Sequence, residues 1–421
     1  MKSRTKAILL LLTALVLCAF AIQQWTGFVK CKPLSGVTEA QAKPTLAFSS
    51  FVDGSFQRDE EAYLKQNCGF REPLTRLYNQ ILWTFFRYSK VVEDQRVMVT
   101  KDNWMFEPWS VEEYYQSRSY IYAKDSLEMA QKLENEAQRL LQLQKALEPY
   151  NTRLFVALLP GKEQICSEHI PPEKFPHWEK KITAYGFYSK RFKELGINYM
   201  DFAEWFMQMK DTVSYPLFPQ TGTHWSNLAA IHAADTLIRY MEWLSDTNMV
   251  NVTTGEVFQR TLKPDADLES LMNLIWPLKK QPNMLTKAYY DYDTTAWRPR
   301  LLTIGDSFYW NILNFTPVWD VFEGVPYWYY FSTAYFNNDD LNVSMNVSDL
   351  DVLQEVIDAD FVMLAYSTTS LYKMSNGFSE QLIRELSKEP RPEVPRSEVP
   401  SPEVSCPEVP RPEVPCPESK N

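Results

Sequence analysis

A chain of 421 residues with a formal charge of -10 and an isoelectric point near 5.2 suits one large α/β domain with additions, or two domains. That acidity, with no dense Lys/Arg patch, excludes nucleic acid as a partner, because phosphate binding needs a basic face. Aromatic residues make up 14%, with 13 Trp and 23 Tyr, which serves core filling first and flat platforms for sugar rings second.

The chain opens on Lys2, Arg4 and Lys6, followed by an uncharged run from Ala7 to Ile22 and then Gln23 and Gln24. A basic segment before an apolar one is an export signal. The run is shorter than the ~20 residues that cross a bilayer comfortably. Ala19-Phe20-Ala21 resembles a cleavage site, so removal and retention as an anchor both stay open. Cys18 lies in this segment, and Leu15-Val16-Leu17 before it lacks the small residue of a lipidation site. Cys31, Cys68 and Cys166 are scattered without CxxC spacing, which makes neither a metal site nor a disulfide framework.

Leu74, Leu77, Tyr78, Ile81 and Phe85 fall on one helical face. Val97-Met98-Val99 and Trp104-Met105-Phe106 flank Lys101-Asp102-Asn103 as a hairpin. Asp125 and Glu128 form a capping pair for a helix whose apolar stripe is Leu133, Ala137, Leu140 and Leu147, stopped by Pro149.

From there short apolar runs alternate with helices. Leu154 to Leu159 lacks alternation and is predicted as a buried strand. A helix follows from about Trp178 to Leu195, then a strand over Ile197–Met200, a helix over Ser226–Leu244, strands over Leu301–Ile304 and Phe361–Ala365, and a closing helix over Glu380–Leu386. This alternation implies a largely parallel sheet with helices on both faces. Active residues are then expected on loops at the carboxyl ends of strands.

From Glu389 the chain repeats Pro-Glu-Val-Pro and carries ten of the 27 prolines. Such a segment buries no apolar surface and favours extended geometry. The expected organisation is a signal or anchor over 1–24, a helical and hairpin region over 25–150 packing on the main domain, a catalytic domain over 151–388, and a disordered tail over 389–421.

Two segments carry chemistry. The strand at Leu301 runs into Gly305-Asp306-Ser307-Phe308, where glycine permits a sharp exit and the serine is exposed beside backbone N–H groups that can hold an oxyanion. Thr221-Gly222-Thr223-His224-Trp225-Ser226 stands directly before a helix. His224 is the histidine on such a loop, and imidazole is the usual general base for serine. His232 falls inside the helix, and His169 and His177 sit among prolines and charges. Asp306 and Gly305 are expected to support the turn, with one oxyanion donor from the Ser307 amide.

Gly222-Thr223-His224-Trp225 followed later by Leu302-Thr303-Ile304-Gly305-Asp306-Ser307-Phe308 resembles the bacterial alginate O-acetyltransferase family, exported SGNH-hydrolase-like proteins that decorate exopolysaccharides. The histidine block comes first, as in that family and unlike ordinary SGNH esterases. The hairpin at Asn103-Trp104-Met105-Phe106, Leu159-Pro160-Gly161-Lys162 and the segment Leu371–Phe378 agree with it, over roughly Ala47 to Ser387. The resemblance implies an α/β, flavodoxin-like sheet with permuted block order, no cofactor, Ser307 as nucleophile and His224 as base.

The family's aspartate two positions before the histidine is replaced by Gly222. Another carboxylate substitutes, or the site is a dyad, or it is weakened; Asp201 at a strand end is the first substitute to test, Asp211 the second. Each aspartate also suits a helix cap. Trp225, Tyr330 in Tyr327-Trp328-Tyr329-Tyr330, and Tyr366 after a strand are candidates for lining a substrate cleft.

The expected function is O-acetyl transfer to an extracellular or envelope polysaccharide through an acetyl-serine. The resemblance supplies a multi-pass membrane acetyltransferase as acetyl donor, and a location in the periplasm or at the outer face of the inner membrane, with membrane attachment if the signal is uncleaved. Rivals are a secreted carbohydrate acetylesterase with the same Ser–His site and a non-catalytic glycan-assembly subunit whose triad has decayed.

Overall fold

The computed structural model describes residues 2–36, 42–116, 126–172, 183–291, 295–336 and 344–388. Asp125 of the expected capping pair, Trp178 at the expected helix start, His177 and the proline-rich tail lie outside them. Two compact units emerge, one of residues 1–98 with 267–279 and one of 99–266 with 280–421. The division falls at Met98/Val99, whereas the sequence placed a boundary near 150.

The first unit is helical. Helix α1 (Lys2–Thr26) contains a stretch, Arg4–Thr26, of 23 residues that is long and apolar enough to cross a membrane. It extends beyond the apolar run because Gln23 and Gln24 continue the helix. Helices α2 (Phe48–Val52), α3 (Ser55–Asn67) and α4 (Arg71–Phe86) follow.

The second unit holds the sheet. Its strands are β1 (Arg153–Leu159), β2 (Tyr199–Asp201), β3 (Leu301–Gly305), β4 (Tyr327–Tyr329), β5 (Thr333–Tyr335), β6 (Ser344–Asn346) and β7 (Phe361–Ser367). They lie in the order β6-β5-β4-β3-β7-β1-β2. The pairs β4–β3, β3–β7, β7–β1 and β1–β2 are parallel, and β5 and β6 add two antiparallel strands at one edge. The fold is thus the expected α/β class, with a mainly parallel sheet.

The central strands β1, β3 and β7 are buried on both faces, which is why their sequences read as unbroken apolar runs. On one face Leu154, Val156, Leu158, Val362, Leu364, Leu302 and Ile304 join a single core with three helices. Those are α5 (Ser126–Leu147), α6 (Ala184–Leu195) and α10 (Phe378–Leu386). The expected stripe of α5 is buried at Leu133, Ala137, Leu140 and Leu147.

Between β2 and β3 run α7 (Phe202–Met209) and α8 (Asn227–Ser245). The ring of Phe155, which points to the face opposite Leu154, meets Tyr240 of α8 at 5.5 Å, so helices cover both faces. Helix α9 (Tyr309–Phe315) follows β3. The serine turn therefore leaves the carboxyl end of the central strand, and the histidine loop enters α8, where Ser226 caps the Ala229 amide at 3.3 Å.

Candidate active site

The turn after β3 is fixed by its backbone. A Cβ on Gly305 would lie 2.2 Å from the Ala365 carbonyl oxygen of β7, so only glycine lets the two strands approach this closely. The next amide, of Asp306, donates to that same carbonyl at 3.1 Å. The Asp306 carboxylate is buried and accepts from the Ser367 amide at 2.8 Å, the Ser367 hydroxyl at 2.6 Å and the Phe308 amide at 3.1 Å. Burial pushes the Asp306 carboxyl above its usual range, and the Ser367 bonds oppose that rise. The Tyr327 hydroxyl donates to the Asp306 carbonyl at 2.6 Å. Asp306 and Gly305 thus hold the turn in shape, and Ser307 is left partly exposed between buried neighbours.

The histidine loop is held from below by a buried cation. Lys162, in the short helix after β1, is 3% exposed, and its ammonium donates to the carbonyls of Met105 at 2.7 Å, Gln220 at 3.0 Å and Gly222 at 2.7 Å. The same ammonium lies 5.2 Å from the ring centroids of Trp104 and Phe106, close enough for the ring quadrupoles to favour it. One cation therefore ties the hairpin to the loop that carries His224.

The two loops meet. His224 Nε2 lies 3.0 Å from Ser307 Oγ, a hydrogen-bonding distance for a base and a nucleophile. Both side chains are partly exposed. The contact is braced by the next residue along each loop. The Trp225 indole donates to the Phe308 carbonyl at 3.0 Å, and Asn311 of α9 donates to the Trp225 carbonyl at 2.7 Å. The His224 and Phe308 rings meet edge-on at 4.9 Å. The Ser307 amide donates to no acceptor among the described residues, so it is available to an incoming oxyanion.

The remaining expected site residues do not join the pair. Asp201 caps α7, accepting from the Glu204 amide at 2.8 Å, and both its oxygens accept from the Tyr185 hydroxyl at 3.2 Å. Burial pushes its carboxyl up to about 6, against the pull of the Glu204 amide. Neither contact reaches the imidazole, so Asp201 stands as a helix cap. Asp211 is exposed beyond the end of that helix.

Trp225 and Tyr366 are completely buried. They are core residues, and the expectation that they line a cleft is corrected. Tyr366 alternates into the packed face with Leu364 and Val362, and Trp225 spends its indole N–H on the brace. Tyr330 keeps partial exposure, with its amide bonded to the Gly305 carbonyl at 2.9 Å.

Gly222 has a structural reason of its own. A Cβ there would meet the carbonyl carbon and oxygen of Asp265 at 2.9 Å and Pro219 Cγ at 3.0 Å. The loop has closed over the space in which an aspartate side chain would begin.

Residues 97–308, half of the chain, match the family described as SGNH hydrolase-like domain, acetyltransferase AlgX. The chain belongs to this family. The AlgX-family match starts at the hairpin that Lys162 anchors and runs through the histidine loop to the serine turn. Membership makes the chain an O-acetyltransferase of SGNH type.

Among solved structures, the chain is similar to the O-acetyltransferase domain of Pseudomonas putida AlgJ, at 15% identity over 69% of this chain and 98% of that one, with a TM-score of 0.44. Pseudomonas aeruginosa AlgX gives 10% identity over 68% and 67%, TM-score 0.41. Bacillus cereus PatB1, with a sulfonyl adduct, gives 12% over 66% and 98%, TM-score 0.41. Likenesses this weak decide neither substrate nor mechanism. No curated protein matches the chain by sequence.

Lys162, Ser367 and Asn311 were not singled out as functional from the sequence. Lys162 had a signal, its place just past a buried strand in Leu159-Pro160-Gly161-Lys162. The others act through contacts with residues far along the chain and left none.

Proposed function

We propose that this AlgX-family protein moves acetyl groups onto a polysaccharide of the cell envelope through an acetyl-Ser307 intermediate. The observation that carries the proposal is the 3.0 Å contact between His224 Nε2 and Ser307 Oγ.

In the first half-reaction Ser307 Oγ attacks the acetyl carbonyl carbon while its proton passes to His224 Nε2. The tetrahedral oxyanion is held by the Ser307 amide. Collapse breaks the bond to the donor's leaving group, which departs with the proton from His224. In the second half-reaction a sugar hydroxyl attacks the acetyl ester and gives its proton to His224. The C–O bond to Ser307 breaks, and Oγ recovers the proton. Charge stabilisation at one oxyanion position lowers both barriers.

The donor is proposed to be a multi-pass membrane acetyltransferase that passes acetyl groups outward. The site of action is proposed to be the periplasm or the outer face of the inner membrane, with α1 retained as an anchor. The unit that holds the sheet, residues 99–266 and 280–388, is proposed as the catalytic domain.

The test is acceptor dependence. Purified protein given p-nitrophenyl acetate and an oligosaccharide mixture should yield acetylated sugar, and quenched samples should carry an acetyl group on the peptide containing Ser307. The proposal fails if transfer persists in Ser307→Ala, or if acetate release is unaffected by every acceptor while no sugar gains acetyl.

A further inference from the structure

Helix α4 is packed inside out. Its apolar stripe, Leu74, Leu77, Tyr78, Ile81 and Phe85, is between 44 and 74% exposed, and the face opposite it carries the contacts with the rest of the first unit. There Asn79 donates to the Met272 carbonyl at 2.9 Å, and the amides of Ile275 and Trp276 donate to Gln80 at 3.1 and 3.0 Å. Arg76 holds the carbonyls of Lys32 and Pro33 at 2.8 and 2.7 Å, and Trp83 is buried on the same side. A helix in a water-soluble body does the reverse, turning its apolar stripe inward. A contiguous exposed apolar stripe marks a surface that something apolar covers.

The occupant is indicated by α1. From Arg4 to Ala19 that helix is exposed throughout, and only Phe20 and Gln23 are covered to any degree. They are covered where the turn Cys68-Gly69-Phe70 meets α1. A Cβ on Gly69 would fall 2.2 Å from the Phe20 carbonyl oxygen and 2.9 Å from the Gln24 amide nitrogen, and the Phe20 and Phe70 rings meet edge-on at 5.7 Å.

The stretch Arg4–Thr26 is ~35 Å long at about 1.5 Å per residue, against a hydrocarbon core of ~30 Å. Phe20 lies only ~9 Å from its end. The turn that opens α4 is therefore docked at the level where α1 leaves the hydrocarbon.

We propose that the turn Cys68–Phe70 and the apolar stripe of α4 lie in the outer boundary between lipid headgroups and acyl chains, with phospholipid as the occupant of the stripe. An amphipathic helix in that position buries its apolar face roughly 5–10 Å below the headgroups. The first unit then meets the membrane at two places, one spanning and one lying on it. This rests on the reading that α1 is retained.

The test uses the full chain in vesicles of phosphatidylethanolamine and phosphatidylglycerol, with a photoreactive residue at one position at a time. Tyr78→p-benzoylphenylalanine and Phe85→p-benzoylphenylalanine report the stripe, and Leu12→p-benzoylphenylalanine reports the span. Trp83→p-benzoylphenylalanine reports the inward face, with Asn79 as its replacement if that variant melts early. After irradiation, mass spectrometry should find phospholipid adducts at positions 12, 78 and 85, at least tenfold above the inward position. Ile81→Glu should leave the melting temperature unchanged and cut the adduct at position 78 severalfold.

Adducts at position 12 with 78 and 85 at the inward level overturn the proposal and leave the anchor standing. No adduct at position 12 removes the anchor reading and this proposal with it. If position 78 captures a protein in cells and no lipid in vesicles, the stripe is a protein-docking face and the proposal is wrong.

Discussion

Replacing Lys162 by methionine tests whether a buried cation positions His224, the proposed base. Methionine keeps the length and apolar body of the side chain, so packing on Trp104 and Phe106 survives and only the charge and its donors are lost. Three carbonyls, of Met105, Gln220 and Gly222, lose a charged donor at 2.7 to 3.0 Å. A hydrogen bond to a charged group contributes about 1.5–3 kcal/mol, and a buried acceptor left without a donor costs a similar amount, offset here by the relief of a buried charge. We take ~3 kcal/mol as the expected loss for Lys162→Met. For a unit of this size that lowers the melting temperature by roughly 6–12 °C. Differential scanning calorimetry and the rate of acetyl-Ser307 formation should be read on the same sample. Because Gly222 is two residues from His224, the rate should fall more than substrate KM rises, and Lys162→Arg should recover part of both. A Lys162→Met protein with unchanged melting temperature and unchanged acylation rate would refute the reasoning.

Other outcomes follow from the same geometry. Ser307→Ala should abolish the acetyl-enzyme, and His224→Asn should slow its formation by about 10²- to 10⁴-fold without unfolding the chain, as read by quench-flow mass spectrometry and circular dichroism. Burial pushes the Glu163 carboxyl from 4.5 up to about 8, with the neighbouring Glu107 charge adding to the rise. The folded state therefore holds a proton that the unfolded state releases, and stability is fully present below about 4.5 and falls as pH rises through about 8. Glu163→Gln should flatten that decline in urea titrations across the window, and an unchanged slope would show that Glu163 is ionised in the fold. Gly222→Asp should lower stability by about 1–3 kcal/mol through overpacking and fail to raise the acylation rate; a faster enzyme would show that the loop has room.

The strands and the two loops that bring Ser307 and His224 together were legible because their signals are local. Leu154–Leu159 and Leu301–Ile304 are unbroken apolar runs, as strands buried on both faces must be, and a serine and a histidine stand on loops beside strand and helix ends. What stayed hidden depends on partners distant in sequence. The acceptors of Lys162 lie 57 to 60 residues away, so no spacing could reveal the clamp. Trp225 and Tyr366 looked like cleft residues because aromatic type does not separate core from platform. The stripe of α4 was visible as a stripe, but periodicity says which residues share a face and not whether water, lipid or protein lies against it.

The histidine loop carries glycine at 222, closed against Asp265 and Pro219. In a serine triad the carboxylate both orients the imidazole and stabilises its protonated form. In this protein the loop that carries His224 is also tied to the scaffold by main chain and by neighbouring side chains. Lys162 fixes the Gly222 carbonyl, the Trp225 indole is bonded to the Phe308 carbonyl, and Asn311 returns a bond to the Trp225 carbonyl. Each of those bonds links a residue within two positions of His224 to the scaffold, and two of them reach the serine turn or the helix that follows it. The 3.0 Å contact is consequently a property of how two loops are tied together, and glycine at 222 is what allows the histidine loop to close against Asp265. An aspartate at 222 without reopening that packing would strain the loop that carries His224.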